Sequence, residues 1–148
     1  AAGNDGVARR ELPAASRCAI AVTSTSSTDT VSSFATRGSW VDVGAPGEGV
    51  VSTFPFSPTG YASWSGTSMA APFVAAEAAL LLGADPSLTV AGVMAHVQGT
   101  AQPYAAPAPG SGRGRVALVA ALAAVTGHVG FDLSTAGVDP HCVTPSAG

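Results

Sequence analysis

A chain of 148 residues is long enough for one domain or for part of a larger one. With 47% hydrophobic and 10% charged residues it has the composition of a packed core, which excludes intrinsic disorder over most of its length. The net charge of -3 comes from nine carboxylates against six arginines with no basic cluster, so nucleic acid is not an expected partner. The longest apolar run, from Val116 to Val125, is ten residues, about half of what a bilayer span needs, and no membrane helix is expected. Two cysteines, Cys18 and Cys142, give neither a disulfide scaffold nor the spacing of a zinc site, and leave one bridge open.

The chain opens on Ala1-Ala2-Gly3-Asn4-Asp5-Gly6, without an initiator methionine, a charged n-region or an apolar h-region. It is therefore expected to begin inside a longer product or after a cut. Asn4-Asp5-Gly6 reads as a turn at the end of a strand, because these residues tolerate positive φ and hydrogen-bond their own backbone. Cys18 to Thr23, rich in small and β-branched residues between Pro13 and a Ser/Thr stretch, reads as a buried strand. Trp40–Val43 and Val50–Phe54 read as extended segments around a Gly44-Ala45-Pro46-Gly47 loop, and Tyr61–Trp64 as a further strand.

From Thr67 the apolar residues recur at threes and fours up to Gly83, which predicts a helix stopped by glycine. Pro72 is expected in its first turn. Almost every side chain in it is apolar, so burial on most sides is expected. Asp85-Pro86-Ser87 leads into a second helix over Thr89–Gln98, a Pro/Gly-rich loop runs from Pro103 to Gly114, and a third helix spans Val116–Val125. Residues 127–148 show no period and are expected to form a loosely ordered tail.

The chemistry is concentrated at Gly66-Thr67-Ser68-Met69-Ala70-Ala71-Pro72. A serine at the start of a helix sits beside free backbone N–H groups and the positive end of the dipole, which can stabilise the charge that develops in acyl transfer. By itself the same pattern also describes Ser68 or Thr67 as an N-cap. The stretch G-T-S-M-A-A-P, however, resembles the nucleophile segment of subtilisin-like serine proteases. Further segments resemble that family in the same order: Ala1 to Gly6, its A-A-G-N-[DE]-G; Leu12-Pro13-Ala14 and Ala19-Ile20-Ala21-Val22; Ser33-Phe34-Ala35 and Gly38; Val41-Asp42-Val43 with Ala45-Pro46-Gly47; and Gly112 to Val116.

The resemblance covers about residues 1–126 as the C-terminal portion of the peptidase domain. It implies an α/β fold with a parallel sheet flanked by helices, Ser68 as nucleophile, and an oxyanion hole made by the Ser68 N–H and the Asn4 side chain. Asn4 suits that role because a neutral amide donates without a charge to bury. The resemblance also puts Ala1, Ala2, Gly3, Asp5 and Glu11 on the substrate pocket, Glu11 at its floor and Asp5 at its mouth. Two carboxylates there would favour arginine or lysine in a polypeptide substrate, unless Arg9 and Arg10 neutralise Glu11. No organic cofactor is implied. Structural calcium is common in the family, but Asp42 alone does not make a site, and no metal ligand is assigned. Secretion or a cell-surface location follows from the resemblance only.

Two departures stand out. Ala76 adds a methyl where the family often has glycine, and Glu77 puts a carboxylate on an apolar helix, where it is expected to reach the surface. The family's aspartate and histidine segments, D-[ST]-G and H-G-T-H-x-A-G, are absent, and His96, His128 and His141 read as surface or partly buried helix-end histidines. The chain alone is expected to be inactive and to need the N-terminal segment of the same domain. A noncatalytic binding or regulatory module on the same fold is the alternative, and an unfolded truncation product a third. Motifs in the upstream reading frame separate the first two, and a thermal melt tests the last.

Overall fold

The computed structural model describes residues 1–106 and 108–126. Strand β1 (Val22–Thr25) pairs in parallel with β2 (Val43–Pro46), in a register from Val22 opposite Val43 to Thr25 opposite Pro46. Strands β3 (Val50–Thr53) and β4 (Tyr61–Trp64) form an antiparallel hairpin with Val50 opposite Trp64. Helices α1 (Thr67–Ala84), α2 (Val90–Gly99) and α3 (Leu118–Thr126) follow, and α1 lies on β1 and β2 with α2 and α3 beside it. This is an α/β fold, as expected. Its core joins Val22 and Val43 of the sheet, Val74 and Leu81 of α1, and Val93 and Val97 of α2.

Strand β1 begins later than its apolar run. Ala19 N–H donates to the Ser16 carbonyl, so Cys18 and Ala19 lie at a turn, and the strand continues through Ser24 and Thr25. Ser24 can be buried because a partner is near: the Ser24 and Ser32 hydroxyls are 2.7 Å apart, and Ser32 N–H donates to the Ser24 carbonyl, whereas the Thr25 hydroxyl is buried without a hydrogen-bond partner among the described residues. On the far side of β1, Ala2 N–H donates to the Val22 carbonyl at 2.9 Å. Gly44-Ala45-Pro46 is strand β2 and not loop. A Cβ on Gly44 would stand 2.8 Å from the Tyr104 hydroxyl, so glycine there answers to packing rather than to a turn.

Helix α1 departs furthest from expectation. It buries one stripe, Thr67, Ala70, Val74, Glu77 and Leu81, while Phe73, Leu80 and Leu82 are exposed. A sheet of two strands covers one face of a helix and no more. By length and composition α1 could cross a membrane, yet it rests on the sheet and on two helices. Pro72 is its sixth residue, one turn deeper than expected. The N–H it lacks is the one that would have bonded the Ser68 carbonyl. The helix also runs through Gly83 to an extended C-cap at Asp85, whose carboxylate accepts from the Ser87 N–H and hydroxyl. Helix α2 starts as read, with the Thr89 side chain accepting from Gly92 N–H at 3.1 Å. The expected tail, with His128, His141 and Cys142, lies outside the described residues.

Candidate active site

Gly66, the N-cap of α1, is fixed from two sides. Its N–H donates to the Gly47 carbonyl at 2.8 Å, and Gly47 N–H donates to the Thr25 carbonyl at 3.0 Å. Gly47 must be glycine: a Cβ would lie 2.4 Å from Ser24 Oγ and 2.7 Å from the Gly66 carbonyl oxygen. The end of β1, the loop after β2 and the start of α1 are thereby stapled together. Ser68, the second residue of α1, is exposed at this junction. Its hydroxyl has no hydrogen-bond partner among the described residues, and its N–H, like those of any first helical turn, has no intrahelical acceptor.

Asn4 reaches the same junction from 63 positions upstream. Its Oδ1 accepts from Thr67 N–H at 2.9 Å and from Thr67 Oγ1 at 3.1 Å, while Gly3 N–H donates to Thr67 Oγ1 at 3.1 Å. Two donors on Oδ1 settle the orientation of the amide and leave Nδ2 to donate elsewhere. Sequence reasoning missed what holds this arrangement, which is Thr67 and Gly47. Thr67 had been readable only as an N-cap, yet the cap residue is Gly66, with no side chain to offer. The helix start is capped instead by a distant asparagine.

Beside Asn4, the Arg9 guanidinium straddles both carboxylates, donating from Nε to Glu11 at 2.8 Å and from Nη2 to Asp5. Arg10 donates to the Ala15 carbonyl and takes no part. Gly3, at φ 108°, lies against Glu11, and a Cβ there would meet Glu11 Cγ at 2.9 Å. Ala2 is fully buried and Ala1 exposed.

His96 is buried in the last turn of α2, where a surface or partly buried helix-end residue was expected. Burial lowers its pKa, and the opposing influence is the field of Asp85. Asp85 caps the C-terminal end of α1, and an 18-residue helix rises about 1.5 Å per residue. His96 is thus at the end of α1 opposite Ser68. Asp42 bonds two segments of the backbone scaffold: Oδ2 accepts from Ala21 N–H at 2.6 Å and Oδ1 from Gln98 Nε2 at 3.0 Å. Burial pushes its pKa up, against the Ala21 hydrogen bond and the Arg113 charge. A cation at Asp42 would displace both donors, and no cluster of three metal-ligating side chains occurs among the described residues.

Glu77 does not reach the surface; it is 2% exposed. Its place follows from spacing, three residues after Val74 and four before Leu81 on the buried stripe. Burial pushes its pKa up to about 7.

The profile of the subtilase family matches residues 1–131. The chain belongs to the subtilase family. It is 45% identical over 116 residues to thermitase of Thermoactinomyces vulgaris, covering 78% of this chain and 40% of that one. It is 41% identical over 101 residues to subtilisin Savinase of Lederbergia lenta, covering 68% and 37%. A solved protease from Pseudoalteromonas arctica superposes with a TM-score of 0.77 at 31% identity, over 84% of this chain and 41% of that one. A cold-adapted subtilisin-like serine proteinase gives 0.65 at 35%, over 78% and 41%. This subtilase chain therefore spans about two fifths of the length of these relatives.

Proposed function

We propose that this chain supplies the nucleophile and oxyanion hole of a serine endopeptidase whose base and orienting aspartate come from sequence outside it. Ser68 Oγ attacks the scissile carbonyl carbon and passes its proton to a histidine. The carbonyl oxygen, now carrying the charge, accepts hydrogen bonds from Ser68 N–H and Asn4 Nδ2. Collapse expels the amine with the proton from that histidine, and water then releases the acyl group from Ser68 by the same steps. The observation that carries this reading is the pair of hydrogen bonds that Thr67 N–H and Oγ1 donate to Asn4 Oδ1, which anchors the amide at the start of α1 beside Ser68 and leaves Nδ2 as a donor.

A serine hydroxyl is a weak nucleophile without a base in reach. Among the described residues His96 is at the wrong end of α1, and with the base assigned to the upstream portion the 148-residue chain alone is expected not to react with a fluorophosphonate probe. Adding the upstream portion of the domain, fused or as a separate fragment, should restore labelling of Ser68. Strong labelling of the isolated chain that Ser68→Ala removes would overturn the assignment of the base to another segment.

Asp5 and Glu11 next to Asn4 support a substrate with arginine or lysine before the scissile bond. Arg9 leaves this pair one net negative charge rather than two, which makes the preference modest. A kcat/KM equal for arginine and leucine peptides in the assembled enzyme would remove this part of the reading. Action outside the cell is proposed from the family alone.

A further inference from the structure

Three charged groups meet beside Asn4, and they are not held alike. Asp5 is anchored through its N–H, which donates to Thr36 Oγ1 at 3.2 Å, and Glu11 through its carbonyl, which accepts from Ala15 N–H at 2.7 Å. The Glu11 side chain also lies against Gly3, whose N–H donates to Thr67 Oγ1 at the start of α1. Both carboxylates therefore stand on backbone tied to the junction that carries Ser68. Arg9 has no such anchor. Its N–H donates within its own turn, to the Val7 carbonyl at 3.2 Å, and its guanidinium bonds only Asp5 and Glu11 among the described residues. Two fixed acceptors share one donor that only they hold. Arg10 does not compete for them, because its guanidinium donates to the Ala15 carbonyl.

We propose, resting on the reading of Asp5 and Glu11 as contacts of the residue before the scissile bond, that Arg9 sets the specificity of this site. It occupies the two carboxylates in the free enzyme and yields them to the arginine or lysine of the substrate. The exchange is close to balanced. One cation leaves the pair as another arrives, so charge-assisted hydrogen bonds are replaced rather than lost, and an ion pair near water costs little to open. A leucine brings no cation. Arg9 then stays on the pair, and its methylenes lie between the carboxylates and the apolar side chain. Arg9 thus narrows the preference from both sides, weakening basic residues by competition and tolerating neutral ones by screening. It touches no reacting atom, so its influence belongs in KM rather than in kcat.

The test uses the enzyme assembled with its upstream portion and peptides that differ only in arginine or leucine before the scissile bond. Arg9→Gln should raise the arginine-to-leucine ratio of kcat/KM about tenfold, with the gain in KM, and Arg9→Lys should stay near the parent because the charge remains. The inhibition constant of n-butylguanidinium should fall by the same factor in Arg9→Gln, and raising salt from about 50 mM to about 500 mM should shrink the gain. In the Asp5→Asn, Glu11→Gln double variant, adding Arg9→Gln should leave the ratio where it was. If each carboxylate variant lowers the ratio but Arg9→Gln does not raise it, the carboxylates bind substrate and the role of Arg9 is overturned alone. If neither carboxylate variant alters the ratio, the reading of the pocket falls and takes this proposal with it. A gain that survives loss of both carboxylates, or one that appears in kcat, would overturn the exchange as well.

Discussion

Helices α1 and α2 solve the same problem at their N-termini in different ways. In α2 the cap is local: Thr89 accepts from Gly92 N–H three residues on. In α1 the cap residue is Gly66, which has no side chain, and the acceptor is Asn4 Oδ1 from a distant part of the chain. The remote cap takes Thr67 N–H and leaves the next one, on Ser68, without an acceptor. A local cap serves stability alone. The remote cap also leaves a second donor, Nδ2, on a side chain anchored beside that open N–H, the pair that the proposed function assigns to the oxyanion.

The largest break comes from Ser68, the proposed nucleophile. In the enzyme assembled with its upstream portion, Ser68→Ala should lower kcat by about 10⁶, a magnitude that comes from a subtilisin itself. Tm should stay within a degree or two, because the Ser68 hydroxyl has no hydrogen-bond partner among the described residues. A variant that loses stability and activity together would make Ser68 a structural residue.

Asn4 sharpens the comparison, since its two ends do different work. Asn4→Ala removes both and should cost about 10²–10³ in kcat, again a range known from a subtilisin, together with about 1 kcal/mol of stability for the lost cap. Asn4→Asp keeps an acceptor for Thr67 and removes the donor. It should retain the stability of the parent while losing at least as much activity as the alanine variant. If Asn4→Asp is active, Asn4 is a cap and nothing more.

The middle of α1 shows the opposite case, a polar group to which neither a local nor a remote partner comes among the described residues. Glu77 ionises near pH 4.5 in the unfolded chain and near pH 7 when folded. A raised carboxyl pKa means the unfolded state releases its proton first, so stability falls as pH rises from about 4.5 to 7 and stays low above that. The loss is on the order of 3 kcal/mol. Urea midpoints of the parent and Glu77→Gln should therefore diverge across that window and run parallel above it. A difference independent of pH would mean Glu77 stays exposed to water.

What could be read from the residues divides along the same line. Tyr61–Trp64 and the second helix follow from neighbours in sequence, and both appear within a residue of where they were read, although the Thr89 cap of α2 was not read from the sequence. The serine segment is legible because its residues are contiguous, and the pairing with Asn4 only through resemblance. Thr67 as the clamp, Gly47 as the close approach and Gly44-Ala45-Pro46 as strand depend on contacts 19 or more positions away, and no local pattern announces them. The stripe of α1 fails for a related reason. An all-apolar helix shows no period from which to tell which face the sheet will cover, and so Glu77 could be placed on either side.

The smallest effect belongs to the local cap. Thr89→Ala removes the acceptor of Gly92 N–H at the start of α2, and such a change costs about 1 kcal/mol, or several degrees in Tm for a domain of this size. Activity in the assembled enzyme should be unchanged, because α2 meets α1 beside its C-terminal half and not at Ser68. Thr89→Asp should recover the stability, since a carboxylate accepts from the same N–H and favours the positive end of the helix. Thr67→Ala is the matching change in α1. It keeps the backbone donor to Asn4 but loses the hydroxyl that bonds both Asn4 and Gly3, so kcat should fall more than stability. If Thr67→Ala and Thr89→Ala behave alike, losing stability with no loss of kcat, the two helix starts are equivalent and the remote cap has no catalytic role.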